Sequence, residues 1–286
     1  MNHPAEIAVY DLLQKATAGE ASMSEEVIKQ IASDVEAAMH KQFNSGPRDA
    51  FKLRMSNLGK PTCQLWFEKN DPEGKTDFPP HFMMNMLIGD IVEAVFKGLL
   101  RAAHVDFDDN DKVTLSLADG TEINGEYDMV MDGKVDDVKS ASPWSYKNKF
   151  ASVEELQKND SFGYVAQLVG YAEAAGKEVG GWWVVNKGTG EFKYVDASAV
   201  DRSAVLEDIQ ATVTYIEGDK PFKRCFEAIP ETHYRKPTGN FKLDPKTCGF
   251  CAFKHKCWPA LQTLPAVKST AKEPPMVDYV LLNEEY

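Results

Sequence analysis

The sequence predicts a mixed fold, α/β or α+β, organised on one central sheet, and three observations lead there. Residues 1–42 and 81–104 carry apolar side chains at helical spacing. Residues 112–142 change to period-two alternation. A helical stretch, a hairpin pattern and a second helical stretch follow. Hydrophobic residues are 43% of the 286 and charged residues 27%, ordinary values for a soluble globular chain with a substantial core.

The elements follow in order. In SMSEEVIKQIASDVEAAMHKQF, Ser22 or Ser24 is the candidate cap, with acids in the first turn. Gly46-Pro47, Gly59-Lys60-Pro61 and Pro72-Glu73-Gly74 then mark a loop region that holds Cys63. HFMMNMLIGDIVEAVFKGLLRAAH, residues 81–104, predicts a long apolar helix. KVTLSLADGTEINGEYDMVMDGKVDDVKSAS predicts three or four antiparallel strands, with Asp119-Gly120 and Asp132-Gly133 as hairpin turns. Residues 153–176 are expected to be helical, GGWWVVNKGTGEFKYVDA to be a further hairpin, and 199–217 a last helix. The expected division is an N-terminal helical segment (1–50), a main domain (51–260) and a peripheral C-terminal tail (261–286).

Net charge is −12, which argues against a generic nucleic-acid binder. The charge is uneven, however: residues 219–257 hold nine Lys/Arg against four acids, so this stretch is +5 and the remainder −17. A basic surface on an acidic body suits a phosphate-bearing partner, and a solvated lysine-rich loop equally well. No apolar run approaches a membrane span, and MNHPAEIAVYDLLQKA lacks the basic start and apolar stretch of a secretory signal. The expected location is therefore the cytoplasm, where clustered cysteines bind metal more often than they form disulfides.

The strand region carries an unusual polar set. Side chains alternate along a strand, so Val135, Asp137 and Lys139 share one face, and Asp128 lies across the Asp132-Gly133 turn. Two convergent carboxylates suit a hard divalent cation, and a nearby lysine can orient an attacking water or offset phosphate charge. A salt bridge on a solvated hairpin face is the plainer account. Two helices add to the set. Gln167 and Tyr171 are four apart on one stripe. Glu93 is flanked at helical spacing by Met86, Gly89, Phe96 and Leu100, where an unpaired carboxylate is costly; the alternative is an i,i+4 pair with Lys97 worth about 0.3–0.5 kcal/mol.

Gly125-x-x-Asp128, then Asp137-x-Lys139, then Gln167-x-x-x-Tyr171 resembles the PD-(D/E)XK nuclease superfamily, specifically its RecB-like branch. An upstream helical motif of that branch, G-x-x-x-H or G-x-x-x-E, is matched by Gly89 and Glu93; the more usual histidine is absent, and His104 would face elsewhere. The order and spacing of the four motifs over residues 89–171 carry the resemblance. It implies a restriction-endonuclease-like α/β core, a central mixed sheet flanked by helices.

Cys248-x2-Cys251-x5-Cys257 supplies three thiols, and two candidates stand for a fourth ligand. His255 would give a local zinc knuckle, though only one residue separates it from Cys257; Cys63 would give four thiolates, suited to zinc or an iron–sulfur cluster. The pattern resembles RecB-like nucleases of the AddB type and CRISPR-associated adaptation exonucleases. There one cysteine before the core and three after it bind a 4Fe-4S cluster. By that resemblance Cys63, Cys248, Cys251 and Cys257 hold the cluster, a staple joining the N- and C-terminal flanks, with Trp66, Phe67 and Trp258-Pro259 in the matching places. Cys225 is left over, read as a small buried hydrophobe.

The resemblance implies a Mg²⁺- or Mn²⁺-dependent deoxyribonuclease. Its metal ligands would be Glu93, Asp128, Asp137 and the Val138 carbonyl, with Lys139 at the attacking water and Gln167 and Tyr171 on the phosphate or strand. Arg54 and Lys147 are further candidate phosphate contacts, and the basic stretch around 220–256 would follow the DNA backbone. With no Walker-type helicase motif in the chain, it looks like a stand-alone phage-type exonuclease acting on free or single-stranded ends in recombination, repair or genome processing. It would work in a bacterial or phage-infected cytoplasm, as a homo-oligomer or with a recombination partner. The alternative is a catalytically inactive nuclease-like module that binds DNA or protein.

Overall fold

A computed structural model describes residues 3–44, 46, 51–77, 79–218, 220–267 and 269–283. Pro47 of the expected Gly46-Pro47 turn and Asp219 of the basic stretch lie outside the described residues. In chain order the elements are α1 (Pro4–Thr17), α2 (Glu25–Phe43), α3 (Thr62–Asn70), α4 (Pro80–Ala102), β1 (Asp111–Ser116), β2 (Glu122–Tyr127), β3 (Met129–Met131) and β4 (Lys134–Ala141). Then come α5 (Pro143–Lys147), α6 (Val153–Lys158), α7 (Tyr164–Ala174), β5 (Glu178–Asn186), β6 (Phe192–Asp196), α8 (Arg202–Glu217), β7 (Ile229–His233), β8 (Lys236–Lys242), α9 (Lys254–Cys257), β9 (Gln262–Pro265) and β10 (Met276–Leu281). No helix among the described residues is long and apolar enough to cross a membrane.

The chain divides into two compact units, one of residues 1–59 with 79–211, the other of 60–78 with 212–286. This differs from the expected division. The helices of residues 1–50 belong to the first unit instead of standing apart, and the segment after 260 supplies two strands of the second instead of a peripheral tail.

The first unit is a mixed α/β structure. Its four-stranded sheet runs β3-β4-β5-β6, with β4 and β5 parallel and the outer pairs antiparallel. A parallel pair needs a crossover, which the segment carrying α5, α6 and α7 provides. Met129, Met131, Val138, Trp183 and Phe192 of the sheet bury against Phe96 and Leu100 of α4 and Ala5 and Val9 of α1. Ser24, not Ser22, caps α2: its hydroxyl accepts from Val27 N at 3.3 Å.

Two sequence expectations change here. The strands of 111–141 are not one meander, because β1 and β2 form their own ribbon and the chain breaks at Asp128 before β3 joins β4. The expected helix 153–176 is two helices. Asp160 accepts hydrogen bonds from Tyr164 N (3.0 Å) and Val165 N (2.8 Å), and Gly163 at φ 76° turns the chain into α7. α6 has ended before this, at Asn159 with φ −126°, and the left-handed glycine sets the entry into α7.

The second unit holds an antiparallel sheet, β7-β8-β10-β9, so the expectation of one sheet also fails. Residues 60–78 are tied to the later chain by Trp66 Nε1 donating to Lys220 O (2.8 Å), Lys69 Nζ to Ile216 O (2.7 Å) and Thr76 N to Ala252 O (2.8 Å). Phe67, Ala252 and Phe253 form its buried cluster, with Trp66 and Phe222 packed on it.

Glu231, buried on β7, accepts from Tyr279 OH (2.6 Å), Asn240 Nδ2 (2.8 Å) and Thr238 Oγ1 (3.0 Å). Burial alone would push its carboxyl up; these donors outweigh burial and hold it below the usual glutamate range. A depressed folded-state pKa means stability that is present above the unfolded value, about 4.3, and lost as pH falls through the folded one. Glu231→Gln is expected to cost about 1.5–3 kcal/mol at neutral pH. In thermal unfolding between pH 3 and 7 the gap to wild type should close on the acid side; a gap independent of pH would contradict this account.

Candidate active site

The candidate carboxylates come from three elements of the first unit. Asp137 is on β4, 2% exposed, and its Oδ1 accepts from Lys139 Nζ at 2.7 Å. The ammonium also lies 2.5 Å from Asp137 Oδ2, but not in hydrogen-bonding geometry, and that buried oxygen has no hydrogen-bond partner. Asp128 occupies the break between β2 and β3, where its Oδ2 accepts from Val138 N at 2.8 Å. That bond fixes it beside β4. Glu93, on α4, has its Oε1 2.9 Å from Lys97 Nζ, a buried ammonium that also lies 3.6 Å from Asp109. The plain i,i+4 pair is thus present, with Lys97 buried and Glu93 partly exposed.

All three carboxyls are pushed above their usual range. Asp128 rises to about 6, first through burial and then through Asp137, against the pull of Lys139 and Val138 N–H. Asp137 rises through burial, and Glu93 adds to it against Lys139. Glu93 rises through burial and then Asp128, against Lys97. Each acid is raised by one other of the set, while Lys139 or Lys97 pulls against the rise. Burial opposes the charge on Lys139, yet Asp137 and Asp128 outweigh it and hold the ammonium charged.

Face alternation excludes Asp136 from this group. It is buried apart, accepting from Gly181 N (2.7 Å), Tyr194 OH (2.8 Å) and Trp183 Nε1 (3.3 Å), and burial pushes it up to about 7.

On α7, Gln167 Nε2 donates to Tyr171 OH at 3.2 Å. Burial pushes the Tyr171 phenol up to about 12, although Gln167 opposes it, so the hydroxyl stays protonated at neutral pH. Gly125 has a steric reason: a Cβ there would stand 2.4 Å from Met55 Cγ and 2.6 Å from Tyr171 Cε1. The glycine lets α7 bring Tyr171 against β2. Arg54 and Lys147 are both exposed; Arg54 sits at a bridge to Asn124, and Lys147 ends α5.

The cysteines are in the second unit. Cys63, Cys248, Cys251 and Cys257 line one small cavity with Pro61, Phe226 and Trp258, which His255 does not line. Cys225 is not a buried hydrophobe but an exposed thiol beside Cys63. Its Sγ accepts from Cys63 N at 3.1 Å and lies 3.3 Å from Thr62 Oγ1, at the start of α3, where Pro61 offers no side-chain cap. The neighbouring thiols are coupled: Cys63 and Thr62 draw Cys225 below the usual thiol range, while Cys225 and burial push Cys63 up.

Among the described residues no group of three or more His, Cys, Asp or Glu is disposed as a ready metal cage. At the carboxylates lysines occupy part of the coordinating surface, with Lys139 paired to Asp137 and Lys97 to Glu93, although the oxygen donors themselves are of the kind that suits a hard cation.

No protein-family model matches the chain, and no curated protein matches it. The crystal structure of SSO0001 is similar over 80% of this chain and 95% of its own, at 11% identity and a TM-score of 0.43, and this likeness carries no argument.

Sequence reasoning missed two residues of the carboxylate region. Tyr164 places its ring 5.2 Å from Lys139 Nζ, and the buried Lys149 lies 4.4 Å from the same ring. Tyr164 is seven residues before Tyr171, hence on the same helical stripe, and that spacing was a usable signal.

Proposed function

We propose that the chain is a metal-dependent deoxyribonuclease of the PD-(D/E)XK type, with a restriction-endonuclease-like first unit. One observation carries the reading: Asp128 accepts from Val138 N at 2.8 Å, on β4 between Asp137 and Lys139, and Asp137 accepts from Lys139 Nζ at 2.7 Å. Two acids and a lysine held at one place on the sheet suit a cation and a phosphate, which phosphodiester hydrolysis uses.

Glu93, Asp128, Asp137 and the Val138 carbonyl would hold one or two Mg²⁺ or Mn²⁺. Such ions polarise a phosphoryl oxygen and make water a better nucleophile. Lys139, fixed by Asp137 and lying against the Tyr164 ring, orients the attacking water and offsets phosphate charge. Tyr171 keeps its proton and donates to a phosphate oxygen, with Gln167 setting the direction of the phenol. In the second unit, Cys63, Cys248, Cys251 and Cys257 would hold a 4Fe-4S cluster, or zinc in its place. The basic stretch of residues 220–256 supports a phosphate-bearing partner, DNA with free or single-stranded ends.

A module that binds DNA or protein without cutting is the second reading, favoured by the lysines that already pair with Glu93 and Asp137. End-labelled single- and double-stranded DNA, incubated with anaerobically purified protein and Mg²⁺ or Mn²⁺, separates the two. Metal-dependent shortening is expected; DNA that stays intact with either ion leaves the binding module.

A further inference from the structure

The β7–β8 hairpin ends in a two-residue loop, Tyr234-Arg235, closed by the pair His233–Lys236. Both loop residues have positive φ, 47° and 65°. A two-residue loop with both φ positive is a type I′ turn, whose default occupants are Asn-Gly or Asp-Gly because a larger side chain is strained there. This chain uses that default elsewhere: the β3–β4 turn is Asp132-Gly133, at φ 50° and 76°.

Packing does not repay the strain. Tyr234 is 87% exposed, and its ring meets His233 edge-on at 4.4 Å. The base of the hairpin is fixed by contrast. A bulge around Gly239, at φ 85°, brings Thr238 and Asn240 onto the buried Glu231 carboxylate, and Asn240 Oδ1 also accepts from Asn283 N at 2.9 Å. A rigid base therefore presents a strained tip whose sequence, THYRKP over 232–237, has an aromatic and two cations and no acid. Strain held at an exposed tip points to a use for the side chains themselves.

We propose that this tip is a nucleic-acid contact: Tyr234 stacks on an unpaired base of a DNA strand, and Arg235 and Lys236 take the flanking phosphates. The inference rests on the DNA reading above and adds the residues that would engage an unpaired strand. Every base offers a face to an aromatic ring, and phosphates suit the paired cations. Acidic side chains would satisfy the cations but, unlike a base, offer Tyr234 no aromatic face.

The test is fluorescence anisotropy in EDTA, so that nothing is cut, with a labelled single strand of about 20 nucleotides and a blunt duplex of the same sequence. Tyr234→Ala is expected to weaken single-strand binding by roughly 5- to 150-fold. Duplex binding should change less, and Tyr234→Trp should retain the affinity. The double variant Tyr234→Asn/Arg235→Gly, which restores the default turn, should raise the melting temperature while single-strand affinity falls. If wild type binds the strand and Tyr234→Ala binds it as well, this inference fails and the nuclease reading stands. A wild type that binds neither DNA in EDTA removes the tip contact, and the cleavage assay with Mg²⁺ or Mn²⁺ then decides the nuclease reading by itself. An Asn-Gly turn that does not raise the melting temperature refutes the strain on which the argument is built.

Discussion

A Lys139→Met variant is expected to lose about 10²–10⁴-fold of its Mg²⁺-dependent DNA cleavage while still binding DNA. The ammonium is half-buried, bonded to Asp137 Oδ1 at 2.7 Å and set 5.2 Å from the Tyr164 ring, so its position is fixed before any substrate arrives. Removing it takes away the group that orients water, and it also leaves Asp137 buried without its main compensating charge. Breaking a buried pair by deleting one partner costs roughly 3–5 kcal/mol, less if the remaining acid takes a proton. A loss of activity could then reflect a weakened fold alone. The double variant Asp137→Asn/Lys139→Met separates the two effects. With no buried charge left at this pair, its thermal stability should return toward wild type while cleavage stays lost. Wild-type cleavage rates in Lys139→Met would remove the lysine from the chemistry and weaken the nuclease reading as a whole.

What the sequence could reveal depended on the range of each signal. Period-two alternation places Asp137 and Lys139 on one face, and the structure agrees, with the adjacent Asp136 bonded elsewhere, because that rule needs only adjacent residues. Asp132-Gly133 was likewise legible as a turn. The parallel pairing of β4 with β5 was not, since no turn residue encodes a partner reached through a crossover. Asp128 was read as a strand residue. Its neighbours do alternate, but the chain passes there from pairing with β1 to pairing with β4, and only the hydrogen bond from Val138 N reveals why the carboxylate points back. Gly125 was noticed as part of a motif, while its cause is the bulk of Met55 and Tyr171, residues 70 and 46 positions away in the chain. The break between α6 and α7 was legible in Asp160 and Gly163 and was overlooked in favour of a longer helical stripe. Cys225 was misjudged because a solitary cysteine carries no spacing, and its neighbour Cys63 lies 162 residues earlier.

The second large effect is expected from Cys63→Ser. Cys63 lies in residues 60–78, yet it shares a cavity with Cys248, Cys251 and Cys257, so the second unit is assembled from segments with the whole of residues 79–211 between them. A cluster or zinc held by those sulfurs would form only in the folded unit, so its binding free energy would add directly to folding, several kcal/mol or more. Without it the segment keeps Trp66 on Lys220 O, Lys69 on Ile216 O and the Phe67–Phe222–Phe253 cluster. Anaerobically purified wild type is therefore expected to be brown, absorbing near about 400 nm as iron–sulfur proteins do. Cys63→Ser should bleach it and lower its unfolding midpoint, whereas Cys225→Ser should keep both colour and midpoint. Colourless protein that contains zinc and is still destabilised by Cys63→Ser would exchange the cluster for zinc and preserve the staple. If bound metal and midpoint both survive the loss of Cys63, the long-range link is absent, and the aromatic cluster with the hydrogen bonds of Trp66, Lys69 and Thr76 holds this segment in place.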